Sequence, residues 1–181
     1  RGSVRVGCQH LAVLGDIAYD NGTAEDFANC FDPSWGPLAP RIRAALGNHE
    51  YNSGTASVAI DRFRLPQSGW YSYALGAWHV IVLNSNCARV GGCERGSAQW
   101  RWLRADLAAH RNRCTLAYWH HPPYTKGSHD SDTEGQLVDM RENALPILEA
   151  HGVDLVLTGH SHIYERSFLL HGSYETPSTT A

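Results

Sequence analysis

Two histidines, His160 and His162, flank one serine in "LTGHSHIYER" (157–166), just after a run of aliphatic residues. Imidazoles two residues apart at the end of a buried strand are suited to holding a metal ion. The alternative is a polar turn that contains histidine. A metal site needs further donors, and three other stretches supply them. "LGDIAY" (14–19) carries Asp16 and Tyr19, "LGNHEY" (46–51) carries Asn48 and His49, and "YWHHPPY" (118–124) carries His120 and His121. Carboxylate and imidazole suit first-row transition metals and other divalent cations. Each motif alone is an ordinary turn. Taken together, in this order and at strand ends, they read as one metal site.

The elements that must position these groups are legible as apolar runs. "LAVL" (11–14), "HVIVL" (79–83), "TLAYW" (115–119) and "VDLVL" (153–157) read as buried strands, and "WYSYAL" (70–75) as a more amphipathic one. Helices are expected between them. Residues 97–110 place Trp100, Leu103 and Leu107 on one face, with Ser97 as N-cap. Residues 135–152 place Leu137, the Arg141 stem, Leu145 and Leu148 on one face, with Gly152 as C-cap. Pro146 interrupts that helix or starts a second one. A third helix is expected over 23–31, capped by Thr23. Strands alternating with helices indicate an α/β layered architecture, in which ligands collect beyond the carboxyl ends of the strands. The Asp- and His-bearing turns after "LAVL", "TLAYW" and "VDLVL" are therefore expected to converge at the same end of one sheet.

The bulk composition is that of a globular domain, with 43% hydrophobic and 18% charged residues. A net charge of −3 gives no basis for expecting a nucleic-acid scaffold as partner. No 18-residue apolar run is present, so no membrane span is expected. Histidine is abundant, at 11 of 181 residues. The five cysteines form no C-x-x-C pair, which argues against a thiolate zinc site. Cys87 and Cys93 bracket "CARVGGC", a short loop that either closes as a disulfide, implying an extracellular or periplasmic setting, or carries reduced thiols in a cytosolic enzyme.

The four motifs, from about Leu11 to Arg166, resemble the signature of the calcineurin-like metallophosphoesterases: GD, GNH[DE], a later His after a strand, and a terminal GHxH. "GD-x-x-Y", "YSYALGAWHVIVLNSNC" and "HHPPYTKGSHDSDTE" are similar to the purple acid phosphatase branch, in its bacterial secreted form. The resemblance implies an α/β fold, a layered β-sandwich of mixed sheets flanked by helices, with residues 1–175 as the catalytic domain and 176–181 as a tail. It implies two metal ions. Asp16 would bridge them. Tyr19 and His162 would hold the first, and Asn48, His120 and His160 the second. A phenolate beside the shared carboxylate favours iron(III) at the Tyr19 site. The less anionic Asn48 site suits iron(II), zinc or manganese. Such a pair binds phosphate and ionises a water between the ions.

His49 and His129 are the candidates for assisting the leaving group. His49 adjoins Asn48, and in the family its equivalent contacts substrate. His129 lies in the polar loop after His120, either touching substrate or simply exposed. His121 serves as a neighbour to the ligands or as packing. Glu50 and Glu165 either accept the free N–H of a ligating imidazole or form ordinary surface contacts. His79, His110, His151 and His171 read as structural or exposed. The family also has an aspartate on a strand upstream of GD, yet residues 1–15 contain no Asp or Glu. The chain is therefore expected to be truncated at both ends. The expected activity is hydrolysis of a small phosphate ester, most simply a monoester. The rivals are a phosphodiesterase for nucleotides or lipid head groups, and a non-catalytic remnant of the fold.

Overall fold

The computed structural model describes residues 9–110 and 114–170; His171, the 176–181 tail and Cys8 lie outside them. Six strands are present in this range: β1 (Leu11–Leu14), β2 (Ile42–Ala45), β3 (Tyr71–Leu75), β4 (Trp78–Val82), β5 (Cys114–Tyr118) and β6 (Leu155–Leu157). They form two sheets. β1 and β2 pair in parallel, Leu11 opposite Ile42 and Leu14 opposite Ala45. The second sheet has the order β3-β4-β5-β6 and is antiparallel only between β3 and β4.

Alternation along each strand explains why the runs are apolar throughout. Successive side chains point to opposite faces, and here both faces are covered. Leu14, Ala45, Val80, Val82, Leu116 and Tyr118 meet between the two sheets. The residues of opposite parity face helices. Val13, Ile42 and Ala44 pack with Phe27, Phe31 and Ile60 on one side, and Ile81, Ala117 and Trp119 with Trp100, Leu103 and Leu148 on the other. The layers run helix, sheet, sheet, helix. Two tyrosine hydroxyls cross between the sheets, Tyr71 donating to Ala44 O (3.0 Å) and Tyr118 to Arg43 O (2.9 Å).

The helices follow their sequence signals with informative exceptions. α1 covers 24–34, and the Thr23 hydroxyl accepts the Asp26 N–H while the Asp26 carboxylate accepts the Thr23 N–H. α2 (Asn48–Asn52) and α3 (Ser57–Phe63) follow β2. α4 (Ala98–Ala109) buries Trp100, Leu103 and Leu107 as expected. Ser97 stands at its N-cap with extended backbone, but its buried hydroxyl makes no capping bond. α5 covers 135–150. It widens to a π-turn over Met140–Ala144 directly before Pro146, whose missing N–H cannot continue the α-helical ladder. It ends at Gly152, where Gly152 N–H bonds Glu149 O and Val153 N–H bonds Leu148 O, a Schellman closure. Cys87 and Cys93 are joined by a disulfide in the α4-side core.

β2, "IRAA", carries no strand signal because it is short and interrupted by Arg43. Its presence alters one expectation. The motif turns do not sit on one sheet; they come from both, where the carboxyl ends of β1 and β2 meet those of β5 and β6.

Candidate metal centre

Each motif begins where a strand stops, and the four turns pack backbone against backbone. Glycine is required at two of the contacts. A Cβ on Gly47 would collide with the Asp16 carboxylate and amide. One on Gly15, whose φ is +90°, would strike the His120 ring and the Gly47 backbone. Further bonds lock the turns together. His120 Nδ1 lies 2.7 Å from Leu14 O, joining the two sheets, and Gly159 N–H donates to His120 O at 2.8 Å. Glu50 is fully buried and receives four backbone amides, from Asp16 (2.9 Å), Ile17 (2.6 Å), Ala18 (3.4 Å) and Gly47 (2.8 Å). Its pKa is raised by burial, against the pull of the Gly47 and Ile17 amides. Glu50 thus binds the GD loop to the GNHE loop and accepts from no imidazole. Glu165 likewise takes the Thr125 hydroxyl and the Lys126 amide.

All six candidate ligands converge. His120 Nε2 lies 3.2 Å from Asp16 Oδ2, 3.1 Å from Asn48 Oδ1 and 3.1 Å from His160 Nδ1. Tyr19 Oη lies 3.2 Å from the same Asp16 oxygen and 3.0 Å from His162 Nε2. Asp16 Oδ2 therefore belongs to two donor groups at once. A carbonyl oxygen only accepts, so His120 Nδ1 carries the proton toward Leu14, and a neutral ring turns its Nε2 lone pair to the centre. Two oxygens that only accept, those of Asp16 and Asn48, face that lone pair. A cation closes this arrangement, and a single proton cannot point at all the partners. The spacing fits a larger cation, since two ligands each about 2.1 Å from one ion and at right angles stand about 3.0 Å apart.

The electrostatics agree with this arrangement. Burial opposes the Asp16 charge, but positive charge on the His120 side, the position a metal ion would take over, and the His49 amide outweigh it and hold the pKa down to about 2. Burial, with His120 and His129 nearby, depresses His160 to about 4, so its ring is neutral and able to donate a lone pair. Burial and the Asp16 charge push Tyr19 up to about 12, so a phenolate there needs a cation beside it. His121 is buried behind the centre, its Nδ1 2.8 Å from Ser85 Oγ and its ring against those of His120 and His160. Its pKa falls to about 2, through burial first and those two rings next.

Two more histidines edge the centre. The His49 ring packs on Tyr19 with centroids 4.3 Å apart; its Nδ1 meets Asp20 O at 2.6 Å and its Nε2 stands 4.0 Å from Asp16 Oδ2. The His129 ring stacks on His160 at 3.7 Å. A cleft of about 570 Å³ opens beside Asp16, Tyr19, His120, His160 and His162, with Leu14, Ile163 and Tyr164 as its apolar wall. Elsewhere His79 and His110 cluster on Asp106. That group is closed: the carboxylate takes His79 Nε2 (2.6 Å) and the Ser72 hydroxyl (2.7 Å), and His110 Nδ1 bonds Asp106 O (2.9 Å). His151 caps α5 through Ile147 O.

The model of the calcineurin-like phosphoesterases matches residues 6–164. This chain belongs to that family. An uncharacterized protein of Mycobacterium tuberculosis is 31% identical over 99% of the chain, which covers 39% of that relative. Purple acid phosphatase 15 of Arabidopsis thaliana is 28% identical over 87% of the chain, covering 35% of its own length. The solved structure of purple acid phosphatase PPD1 from yellow lupin seeds shares the fold, with a TM-score of 0.65 at 17% identity over 84% of this chain and 30% of that one. These relatives put the calcineurin-like chain in the purple acid phosphatase branch, and the chain spans well under half the length of each.

One neighbour of the centre had no signal in the sequence. Glu134 reaches both His129 and His160, five residues after the first, in a polar loop with no periodicity. The buried amides Asn84 and Asn86 are a second case. Asn84 Nδ2 donates to Tyr51 Oη and Asn86 Nδ2 to Leu46 O, fixing the start and end of the GNHE turn.

Proposed function

We propose that this chain carries the two-metal centre of a secreted phosphoric monoester hydrolase. The observation that carries the reading is the convergence of Asp16, Asn48, His120 and His160 on one point, with His120 Nε2 3.1–3.2 Å from the facing atom of each of the other three. The family and its purple acid phosphatase relatives support it. Asp16 would serve both ions through Oδ2. Tyr19 and His162 would hold iron(III), and Asn48, His120 and His160 would hold iron(II), zinc or manganese. When bound, such a pair supplies Lewis acidity toward the phosphoryl oxygens and an ionised water as nucleophile.

The remaining work falls to the chain's own side chains. His49 is held by its Nδ1–H on Asp20 O, which leaves Nε2 as the atom that exchanges a proton over the centre. Protonated there, it can donate to the leaving alkoxide. His129, stacked on His160, would contact the ester. The catalytic domain is assigned to 1–175. The Cys87–Cys93 disulfide supports an extracellular or periplasmic setting. Among the described residues no helix is long and apolar enough to cross a membrane.

The test is elemental analysis and a visible spectrum of the purified protein, followed by turnover of a phosphate monoester and a diester. Two metals including iron, with a tyrosinate-to-iron band lost in Tyr19→Phe, are expected. Turnover is expected to favour the monoester, to vanish in Asp16→Ala and His160→Ala, and to fall in His49→Ala with metal content retained. Turnover surviving both ligand changes would refute the mechanism.

A further inference from the structure

We infer that Glu134 is a positioning residue, whose carboxylate fixes the tautomer and placement of His129 at the rim of the centre. The inference rests on the phosphoesterase reading above for its consequence in catalysis, but its geometry stands independently. His129 Nδ1 is 3.1 Å from both carboxylate oxygens of Glu134. A carboxylate only accepts, so the proton of a neutral ring resides on Nδ1, and Nε2 is the atom left to exchange a proton with a substrate. Glu134 Oε2 also stands 3.8 Å behind His160 Nε2, the nitrogen turned away from the candidate metal. One carboxylate thus backs a candidate ligand and a candidate substrate contact, whose rings stack on each other at 3.7 Å.

Glu134 is itself held. Asp130 N–H donates to its Oε1 at 2.8 Å, and its own N–H donates to Asp130 O at 3.0 Å. The Asp130 carboxylate closes the turn by accepting the Asp132 amide and the Thr133 hydroxyl. Arg141 pins the turn to α5 through Ser131 O. Glu134 is the N-cap residue of α5 but makes no side-chain cap bond, so its carboxylate is committed to the loop and the two histidines.

Long-range 1H–15N NMR on the metal-free protein reads the His129 tautomer directly. The Nδ1–H form is expected in the wild type, retained in Glu134→Gln, which keeps an acceptor oxygen, and replaced by a mixture in Glu134→Ala. In the metal-loaded protein Glu134→Ala is expected to lower kcat for an alkyl phosphate about 10–100-fold. The loss should be smaller with 4-nitrophenyl phosphate, whose leaving group needs no proton. Adding Glu134→Ala to His129→Ala should cost less than Glu134→Ala costs alone. An unchanged tautomer in Glu134→Ala, or losses that multiply in the double variant, would overturn the inference. If the wild type hydrolyses no ester, the phosphoesterase reading fails, and the tautomer alone decides the role of Glu134.

Discussion

His121 is the group through which acid should act on the metal-free protein. It is 2% exposed, and its folded pKa of about 2 lies far below the ordinary histidine value of 6.5. The sign follows from proton counting. Between the two values the unfolded chain binds a proton that the folded chain does not, so stability is lost as pH falls below 6.5. At pH 5 the unfolded imidazole is almost wholly charged, and the loss is about 2 kcal/mol, at about 1.4 kcal/mol per pH unit. The figure depends little on the folded value, because pH 5 is well above it. His160, with a folded value of about 4, adds a loss of the same sign. Total stability is about 5–15 kcal/mol, so the sum is a large share. The assay is urea unfolding of the metal-free protein from pH 7.5 to 5.0, comparing wild type with His121→Asn. The wild-type free energy should fall more steeply than the variant's, by close to one proton's slope. Parallel curves would refute the argument, because they would mean that His121 takes up its proton without unfolding.

Glu50→Ala would strip four amides of their acceptor, those of Ala18 and Gly47 buried and those of Asp16 and Ile17 half-buried, and at about 1–3 kcal/mol for an unsatisfied group a loss of at least about 3 kcal/mol is expected in chemical denaturation; Glu165→Ala, on an exposed segment, should cost under about 0.5 kcal/mol. Asp106→Ala would leave the buried His79 and the Ser72 hydroxyl unpaired, a loss of about 3–5 kcal/mol. It should leave metal content unchanged in elemental analysis, and a parallel loss of metal would show that the cluster is coupled to the centre.

How far the sequence discloses this molecule depends on how local each signal is. "HVIVL" and "TLAYW" announce strands because both their faces are buried, and 97–110 announces a helix because only one face is. α2 is five residues long, too short for any periodicity, and β2 is masked by Arg43. Asp16, His120 and His160 were legible because their turns follow strands that the sequence announces; Tyr19, Asn48 and His162 were legible through the family motifs in which they sit. The groups that hold those ligands were not. Glu50 finds its donors more than thirty residues away in the GD loop, and Asn86 reaches back to Leu46. Such partners are set by tertiary packing, and adjacency in sequence misled: it offered Glu50 an imidazole partner or an ordinary surface contact, where the fold supplied backbone amides.

The same tertiary packing explains a feature that local preference would reject. Asp16, His160 and His162 have φ of +51°, +71° and +52°, in the left-handed region that disfavours residues with a Cβ. Each costs about 1–2 kcal/mol relative to a right-handed conformation. Three of the six candidate ligands thus sit on strained backbone, for a combined cost comparable to a sizeable part of a domain's stability. Regular extension would instead carry Asp16 onward along the β1 sheet and His160 and His162 along the β6 sheet, away from one another. The left-handed turns instead fold the chain back over the strand ends, where Asp16 Oδ2 can face Tyr19 and His120 together. The Glu50 amide bonds and the glycine contacts at Gly15 and Gly47 supply the offset for Asp16. For His160 and His162, the Gly159–His120 bond ties the preceding residue, and the Tyr19 hydroxyl meets His162 Nε2. A cation drawn to the same donors would add its binding energy to the folded state alone, so metal and strain are linked: loading the centre should stabilise the protein most where its backbone is least favourable.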